Sequence, residues 1–314
     1  MKFFPLKFAF ACLYRTGYLL LRKTIYRPKE ALKSPVIILG SFLAGGAGKT
    51  PLTIELAKRF SAEGLRVAIL CHSAAWDECK LIAKKVPAVS LFKTQNRYAV
   101  AQKIDGKFDV ILSDGGLEDS RFVGANIFIL RWNECAKKIS DLIPAGKCVS
   151  LEKDHPLGKK DHPLGKLTKQ IICSEKNSAA EKSKITEDEC VQFFIEKIQN
   201  AKGESLPQNA ECAVVVGIGN PERFVRDVKN FGARVSHFRF LPDHAKNYEA
   251  NILQEISRGQ IIVITEKDFV RLRPEIQKSP LLYIAEERVK IGTKIFSYLN
   301  AAAGGAAKNP PSTL

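Results

Sequence analysis

Apolar and polar positions follow one another in a regular order along most of the chain. Short apolar runs recur at 36–39, 65–70, 86–92, 108–112 and 125–130, and each reads as a strand. Between them apolar side chains return every third or fourth position, as in Leu52, Leu56 and Phe60, which share one helical face. Continuous apolar strands alternating with helices predict a parallel sheet covered on both faces, a doubly wound α/β fold. A second series follows, with strands at 170–173, 213–216, 233–238, 260–264 and 281–285 and a charged helical stretch at 178–201. The expected organisation is a first domain at 29–150 and a second, smaller α/β domain at 170–298.

Three segments depart from this pattern. Asp154 to Lys166 reads DHPLGKKDHPLGK, a heptapeptide written twice, and its prolines and glycines predict a surface loop over 151–169. His155 and His162 each have only an Asp beside them, too thin a donor set to indicate a metal site. The tail at 299–314 is low in complexity and reads as disordered. The segment 3–21 is apolar and aromatic but interrupted by Lys7 and Arg15. A bilayer span needs about 20 apolar residues, so these charges argue against a crossing. No small-residue cleavage site follows, which disfavours a signal peptide. Residues 1–28 are expected to form a helix lying in the membrane interface, with basic side chains on anionic headgroups. An amphipathic helix packed on the core is the alternative.

Charge sharpens the picture. The 314 residues carry 49 Lys+Arg against 33 Asp+Glu, a net charge of +16, which points to an anionic partner. The basic residues are dispersed, and neither zinc-finger spacing nor an RNA-binding aromatic signature is present, so nucleic acid is not the expected partner. The 8 cysteines are scattered without a C-x-x-C pair, as expected for reduced thiols in a cytosolic compartment.

The densest chemistry lies at 36–60, VIILGSFLAGGAGKTPLTIELAKRF. A strand, a Gly-rich loop ending in Gly48-Lys49-Thr50 and a helical pattern follow in order, the context of a phosphate-binding P-loop. Amides of Gly45, Gly46, Ala47 and Gly48 are positioned to cradle phosphate oxygens, Lys49 to reach the β- and γ-phosphates, and Thr50 to ligate Mg²⁺. The strict pattern wants glycine at 43, where this chain has Leu43. Val110 to Asp114 is a strand ending in an acid, which in such a fold lies beside the loop and orders the metal shell. Asp77-Glu78 follows the second strand at the ligand-binding edge of the sheet, where an acid can accept a proton from an attacking hydroxyl. A solvated acidic loop is the plain alternative. Three further stretches sit at expected strand ends: Gly217 to Phe224 (GIGNPERF), Leu241-Pro242-Asp243-His244, and Thr265-Glu266-Lys267-Asp268.

Taken together these motifs make the chain resemble the tetraacyldisaccharide 4′-kinase family, the lipid A 4′-kinases of Gram-negative bacteria, over residues 5–290. The GGTGKTP loop of that family is matched by Gly45 to Pro51, and the family also lacks the first P-loop glycine. Its D-E-P looks like Asp77-Glu78-Cys79, and its D-D-G-L-Q-H like Asp114 to Asp119. GIGNPERF is complete at 217–224, P-D-H at 242–244 and T-E-K-D at 265–268. The resemblance implies a membrane-associated N-terminal helix, a P-loop NTPase-like kinase domain at 29–150 and a second domain that closes with it over ATP. It implies ATP- and Mg²⁺-dependent phosphorylation of the 4′-hydroxyl of a tetraacyldisaccharide 1-phosphate, at the cytoplasmic face of the bacterial inner membrane. Lys49 and Thr50 would hold phosphates and metal, Asp114 would sit near the metal, and Asp77 would be the general base, supported by His244.

Several positions depart from the family pattern. The S-R-G-Y segment after the second strand is replaced by Cys71-His72-Ser73-Ala74-Ala75-Trp76, the second Asp of D-D-G is Gly115, and Gln-His is Glu118-Asp119. These losses keep open a second reading, a nucleotide- or lipid-binding relative without turnover. A third, an unrelated P-loop ATPase that delivers or partitions proteins, leaves the motifs at 217–224 and 265–268 without a purpose.

Overall fold

The computed structural model describes residues 4–132, 136–154, 167–175, 186–242, 245 and 247–304. The chain divides into two compact units, one made of 1–192 with 290–314 and the other of 193–289.

In the first unit, helix α1 (Phe4–Thr24) precedes β1 (Val36–Gly40), α2 (Lys49–Ala62), β2 (Val67–His72), α3 (Trp76–Lys85), β3 (Ser90–Thr94), α4 (Arg97–Ile104), β4 (Val110–Asp114), β5 (Asn126–Arg131) and β6 (Leu167–Glu175). Strand order is β3-β2-β4-β1-β5-β6, and each neighbouring pair is parallel. Every residue of β1 and β4 is buried, which is why these strands read as unbroken apolar runs. Ile38, Ile111, Ile129 and Phe122 meet in the core of this unit. The order places β1 between β4 and β5, so the chain leaving β1 emerges beside the end of β4. Leu39 is in register with Asp114, and the Gly115 amide donates to the Leu39 carbonyl at 3.0 Å.

The second unit contains most of β7 (Cys190–Asn200), then β8 (Glu211–Val216), α5 (Pro221–Asn230), β9 (Arg234–Phe240), α6 (Tyr248–Ser257), β10 (Ile262–Thr265), the short helices α7 (Glu266–Phe269) and α8 (Pro274–Gln277), and most of β11 (Leu282–Ile291). A last helix, α9 (Thr293–Ala302), returns to the first unit. The order β7-β11-β10-β8-β9 has parallel pairing at β11-β10, β10-β8 and β8-β9. At the edge, β9 exposes most of its length and carries Arg234, His237 and Arg239, charges that discourage another strand from adding there. The architecture is mixed α/β with predominantly parallel strands.

Several expectations change. The helix expected at 178–201 is wrong over its second half: Cys190–Asn200 is strand β7, and 176–185 lies outside the described residues. The stretch supports both periods. Val191, Phe194, Ile195 and Ile198 recur as on a helix, while Val191, Phe193 and Ile195 alternate as on a strand, and the available sheet edge decides. The strand expected at 86–92 begins later, at Ser90, because Val86 caps α3 with its amide on the Ile82 carbonyl and Pro87 starts a turn. The tail expected to be disordered from 299 is helical at its start, because 299–302 closes the last helix with Leu299 buried. Residues 155–166 of the heptapeptide copies, with His155 and His162, and the tail from residue 305 lie outside the described residues.

Helix α1 has two different faces. Ala11 is buried, the Tyr14 hydroxyl donates to the Val149 carbonyl at 2.8 Å, Arg15 makes a two-pronged ion pair with Asp154, and Arg22 bonds the Asp154 carbonyl. The opposite face exposes Leu6, Phe10, Leu13, Leu20 and Leu21. Spaced at i+4 and i+7, they line one stripe. No helix among the described residues is long and apolar enough to cross a membrane. Asp154 is the hinge of this attachment. Asp154→Ala is expected to speed amide hydrogen exchange across 4–24 while leaving β1 and β4 protected; unchanged exchange there would mean that α1 is held by packing alone.

Candidate active site

The loop after β1 is built so that its amides face inward. Gly45, Gly46 and Gly48 have φ of 91°, 67° and 83°, the left-handed region that glycine enters freely. Among the described residues the amides of Gly46, Ala47 and Gly48 meet no protein acceptor, and they stand at the N-terminus of α2, a ready anion site. The absent glycine at 43 has a structural reason. Leu43 is held in an antiparallel bridge with Cys148, flanked by bonds from Val149 to Phe42 at 2.7 Å and from Ala44 to Lys147 at 2.9 Å, and its carbonyl accepts from the Gly45 amide at 3.0 Å, which removes Gly45 from the expected phosphate cradle. The indole N–H of Trp132 holds the far side of the loop through the Ala47 carbonyl at 3.1 Å.

The register of β1 with β4 brings Asp114 under this loop. The Thr50 hydroxyl donates to Asp114 Oδ2 at 2.8 Å, and Thr53 approaches Oδ1 at 3.3 Å. Burial pushes the Asp114 carboxyl up to about 6, the nearby negative charge of Glu78 adds to this, and Lys49 and the Thr50 hydrogen bond oppose it. A buried carboxylate with a serviceable hydroxyl beside a phosphate cradle is a fitting donor set for Mg²⁺, which keeps few protein ligands and takes the rest from phosphates and water. Consistent with that mode, no cluster of three or more His, Cys, Asp or Glu among the described residues could hold a metal alone.

Asp77 lies in the first turn of α3, fully buried, and its Oδ1 accepts from the Glu78 amide at 2.9 Å. Glu78 beside it is only half-buried. Where the resemblance placed Gln-His, Asp119 is buried in a two-pronged pair with Arg121, at 2.7 and 2.6 Å, and Glu118 is partly exposed. Asp119 is therefore committed elsewhere and does not replace the carboxylate missing at Gly115. A cavity of about 360 Å³ opens beside the loop, lined by Tyr14 and Tyr18, Gly45 and Lys49, and Arg97 with Gly115. A larger one, about 390 Å³, lies against Val36 and Asn126 at the opposite ends of β1 and β5 and brings no carboxylate or imidazole to its wall.

In the second unit, sequence reasoning left the motifs at 217–224 and 265–268 separate, and the fold joins them. Asp268 is fully buried. It accepts from the Gly217 amide at 3.3 Å, the Thr265 hydroxyl at 2.8 Å and Arg271 at 3.1 Å, and Arg271 also bonds the Gly217 carbonyl at 3.0 Å. A Cβ at 217 would lie 3.3 Å from Arg271 Nη1 and 3.4 Å from the Pro242 carbonyl, so a side chain there would crowd the clasp. The next turn starts α5 with Asn220 accepting from the Arg223 amide and Pro221 at the first position. Asp243 and His244 lie outside the described residues. Arg271 was missed by the sequence reading; its only signal is a position three residues beyond the TEKD stretch, on the same helical side as Asp268.

The family model described as LpxK: Tetraacyldisaccharide-1-P 4'-kinase matches residues 2–73 and 71–303. The chain belongs to this family. Curated relatives, each called Tetraacyldisaccharide 4'-kinase, include those of Halorhodospira halophila, 29% identical over 88% of this chain and 86% of its own length, and Pasteurella multocida, 26% identical over 94% and 92%. The relative from Shewanella halifaxensis is 27% identical over 81% and 79%. In fold, the chain is similar to the crystal structure described as the "apo" form of LpxK from Aquifex aeolicus in complex with ATP, with a TM-score of 0.57, 22% identity and coverage of 90% and 93%.

The Asp268 clasp makes a stability prediction. Burial raises its carboxyl to about 6, with Arg271 opposing, so the folded state binds the proton more tightly than the unfolded chain. Its contribution to stability is therefore complete below the unfolded value near 4 and is lost as pH rises through about 6. Asp268→Asn should flatten that segment of the urea-derived stability–pH curve. Asp268→Ala, which strands a buried Arg271, should cost about 3–5 kcal/mol at neutral pH. A loss below about 1 kcal/mol would mean the clasp is peripheral.

Proposed function

We propose that this kinase-family chain transfers the γ-phosphoryl group of ATP to the 4′-hydroxyl of a tetraacyldisaccharide 1-phosphate, working at an anionic membrane surface. The observation that carries the reading is the meeting of the P-loop with Asp114 through Thr50 at 2.8 Å. Phosphoryl transfer asks little covalent chemistry of the protein and much positioning and charge balance. The amides of Gly46, Ala47 and Gly48 with Lys49 hold the phosphates, the Gly45 amide being bonded to the Leu43 carbonyl instead, and Thr50 and Asp114 would hold Mg²⁺. Bound there, the ion would offset charge on the β- and γ-oxygens. The new bond joins the substrate O4′ to the γ-phosphorus, the bond to the β–γ bridging oxygen breaks, and ADP leaves. The hydroxyl proton goes to a carboxylate.

That carboxylate is Asp77 by family likeness, with His244 in support. A second assignment has its own observation: Asp77 is fully enclosed, whereas Glu78 is half-buried and its charge acts on Asp114. The two are separated by kcat with γ-labelled ATP and the disaccharide 1-phosphate in detergent micelles. Lys49→Ala should abolish transfer, and Asp77→Asn should lower kcat by about 10² or more with a small change in Glu78→Gln. The reverse order would move the base to Glu78. Wild-type protein that binds ATP without any transfer would instead support a relative that has lost turnover.

The exposed stripe of α1 is the surface we assign to the membrane. Its apolar side chains would enter the headgroup boundary, and Arg and Lys near it would meet anionic lipid. Leu6→Ser with Phe10→Ser and Leu13→Ser should reduce binding to vesicles containing an anionic lipid by about tenfold or more without changing ATP affinity. Retained vesicle binding would assign the contact to another surface.

A further inference from the structure

Gly115 follows Asp114 at the end of β4 with φ 77°, and the space its missing side chain leaves is defined by two cations. A Cβ there would lie 3.3 Å from Arg97 Nη2 and 4.0 Å from Lys49 Cε. Arg97 is the first residue of α4, whose start is fixed by Asn96 accepting from the Ala99 amide at 3.1 Å. Its side chain is only 11% exposed. Nη2 donates to the Asp114 carbonyl at 3.0 Å, Nη1 reaches Glu118 only at 3.5 Å, and Nε has no acceptor. A guanidinium offers five donors, and a nearly buried one with so few partners is costly unless an anion completes it. No described carboxylate saturates it: Asp119 is taken by Arg121, Asp114 feels the Arg97 charge but its oxygens are bonded by Thr50 and Thr53, and Glu118, partly exposed, meets only Nη1 at 3.5 Å.

We propose that Arg97 is a further phosphate-binding residue of this site, gripping the terminal phosphate of a nucleoside triphosphate together with Lys49 in the space opened by Gly115. The anion's identity rests on the kinase reading above. Lys49 belongs to the loop that holds β- and γ-phosphates, so a group sharing its neighbourhood on the Asp114 side faces the last phosphate. A guanidinium fork suits that tetrahedral anion better than an ammonium does. Where the family pattern has a second carboxylate after the strand-end Asp, such a group would pair with Arg97. Its replacement by glycine leaves the cation available to substrate.

The test is equilibrium binding of ATP and ADP to the full chain, with and without Mg²⁺. Arg97→Ala should weaken ATP by about 10- to 100-fold and ADP by less than about threefold. Arg97→Lys should recover part of the loss, since it restores charge but not the fork. Gly115→Asp should weaken ATP selectively as well, by capturing Arg97 while that residue is intact; it carries the test should Arg97→Ala fail to fold by circular dichroism. Equal losses for ATP and ADP, or no loss for either, overturn the assignment. Lys49→Ala separates the two levels. A wild-type chain that binds neither nucleotide, or binds both unaffected by Lys49→Ala, overturns the nucleotide reading and this proposal with it. Loss with Lys49→Ala but not with Arg97→Ala or Gly115→Asp overturns the role of Arg97 alone.

Discussion

The arrangement of the first unit depends on one parallel register, Leu39 against Asp114. Because β1 and β4 are neighbours, the strand that ends in the phosphate loop and the strand that ends in an acid terminate side by side. The Thr50–Asp114 bond then ties the loop's helix to the acid. A slip of one residue would turn Asp114 to the other face of the sheet, so the buried apolar pattern of both strands also protects the chemistry. Burial that holds the register raises the proton affinity of Asp114, and Lys49 moderates it. The result is a carboxylate poised for a cation.

A similar logic operates independently in the second unit. Asp268 is buried at the start of a short helix and satisfied by a backbone amide, a hydroxyl and Arg271. Its bonds run to Gly217, so the strand-end loop after β8 takes its shape from a residue 51 positions away. Such a motif is demanding in residue type because a buried charge tolerates no missing partner. That demand explains why GIGNPERF and TEKD occur together, without requiring that every residue in them touch a substrate.

Helix α1 packs on the first unit, the alternative that its composition allowed, and keeps an apolar face exposed. Ala11, Tyr14, Arg15 and Arg22 attach one face to the first unit, and Leu6, Phe10, Leu13, Leu20 and Leu21 leave the other apolar and exposed. Tyr14 and Tyr18 also line the cavity beside the loop. Attachment and exposure are thus properties of opposite sides of one helix, spaced by its own period.

Local pattern was enough for much of this. The apolar runs located ten of the strands, most of them to within a few residues, the P-loop declared itself through strand, glycines and Lys49-Thr50, and the acid at 114 closes β4 while that at 77 follows β2 in the first turn of α3. These features are legible because each depends on neighbours in sequence: side-chain period, glycine φ, a helix start. Strand β7 was not, since its residues satisfy two periods and only a waiting sheet edge chooses between them. The same holds for the commitment of Asp119 to Arg121, for the approach of Arg97 to Gly115, and for the clasp of Asp268 and Arg271 on Gly217. Those are contacts between groups made near by chain topology, and the free energy of a buried charge is set by which partners topology brings to it.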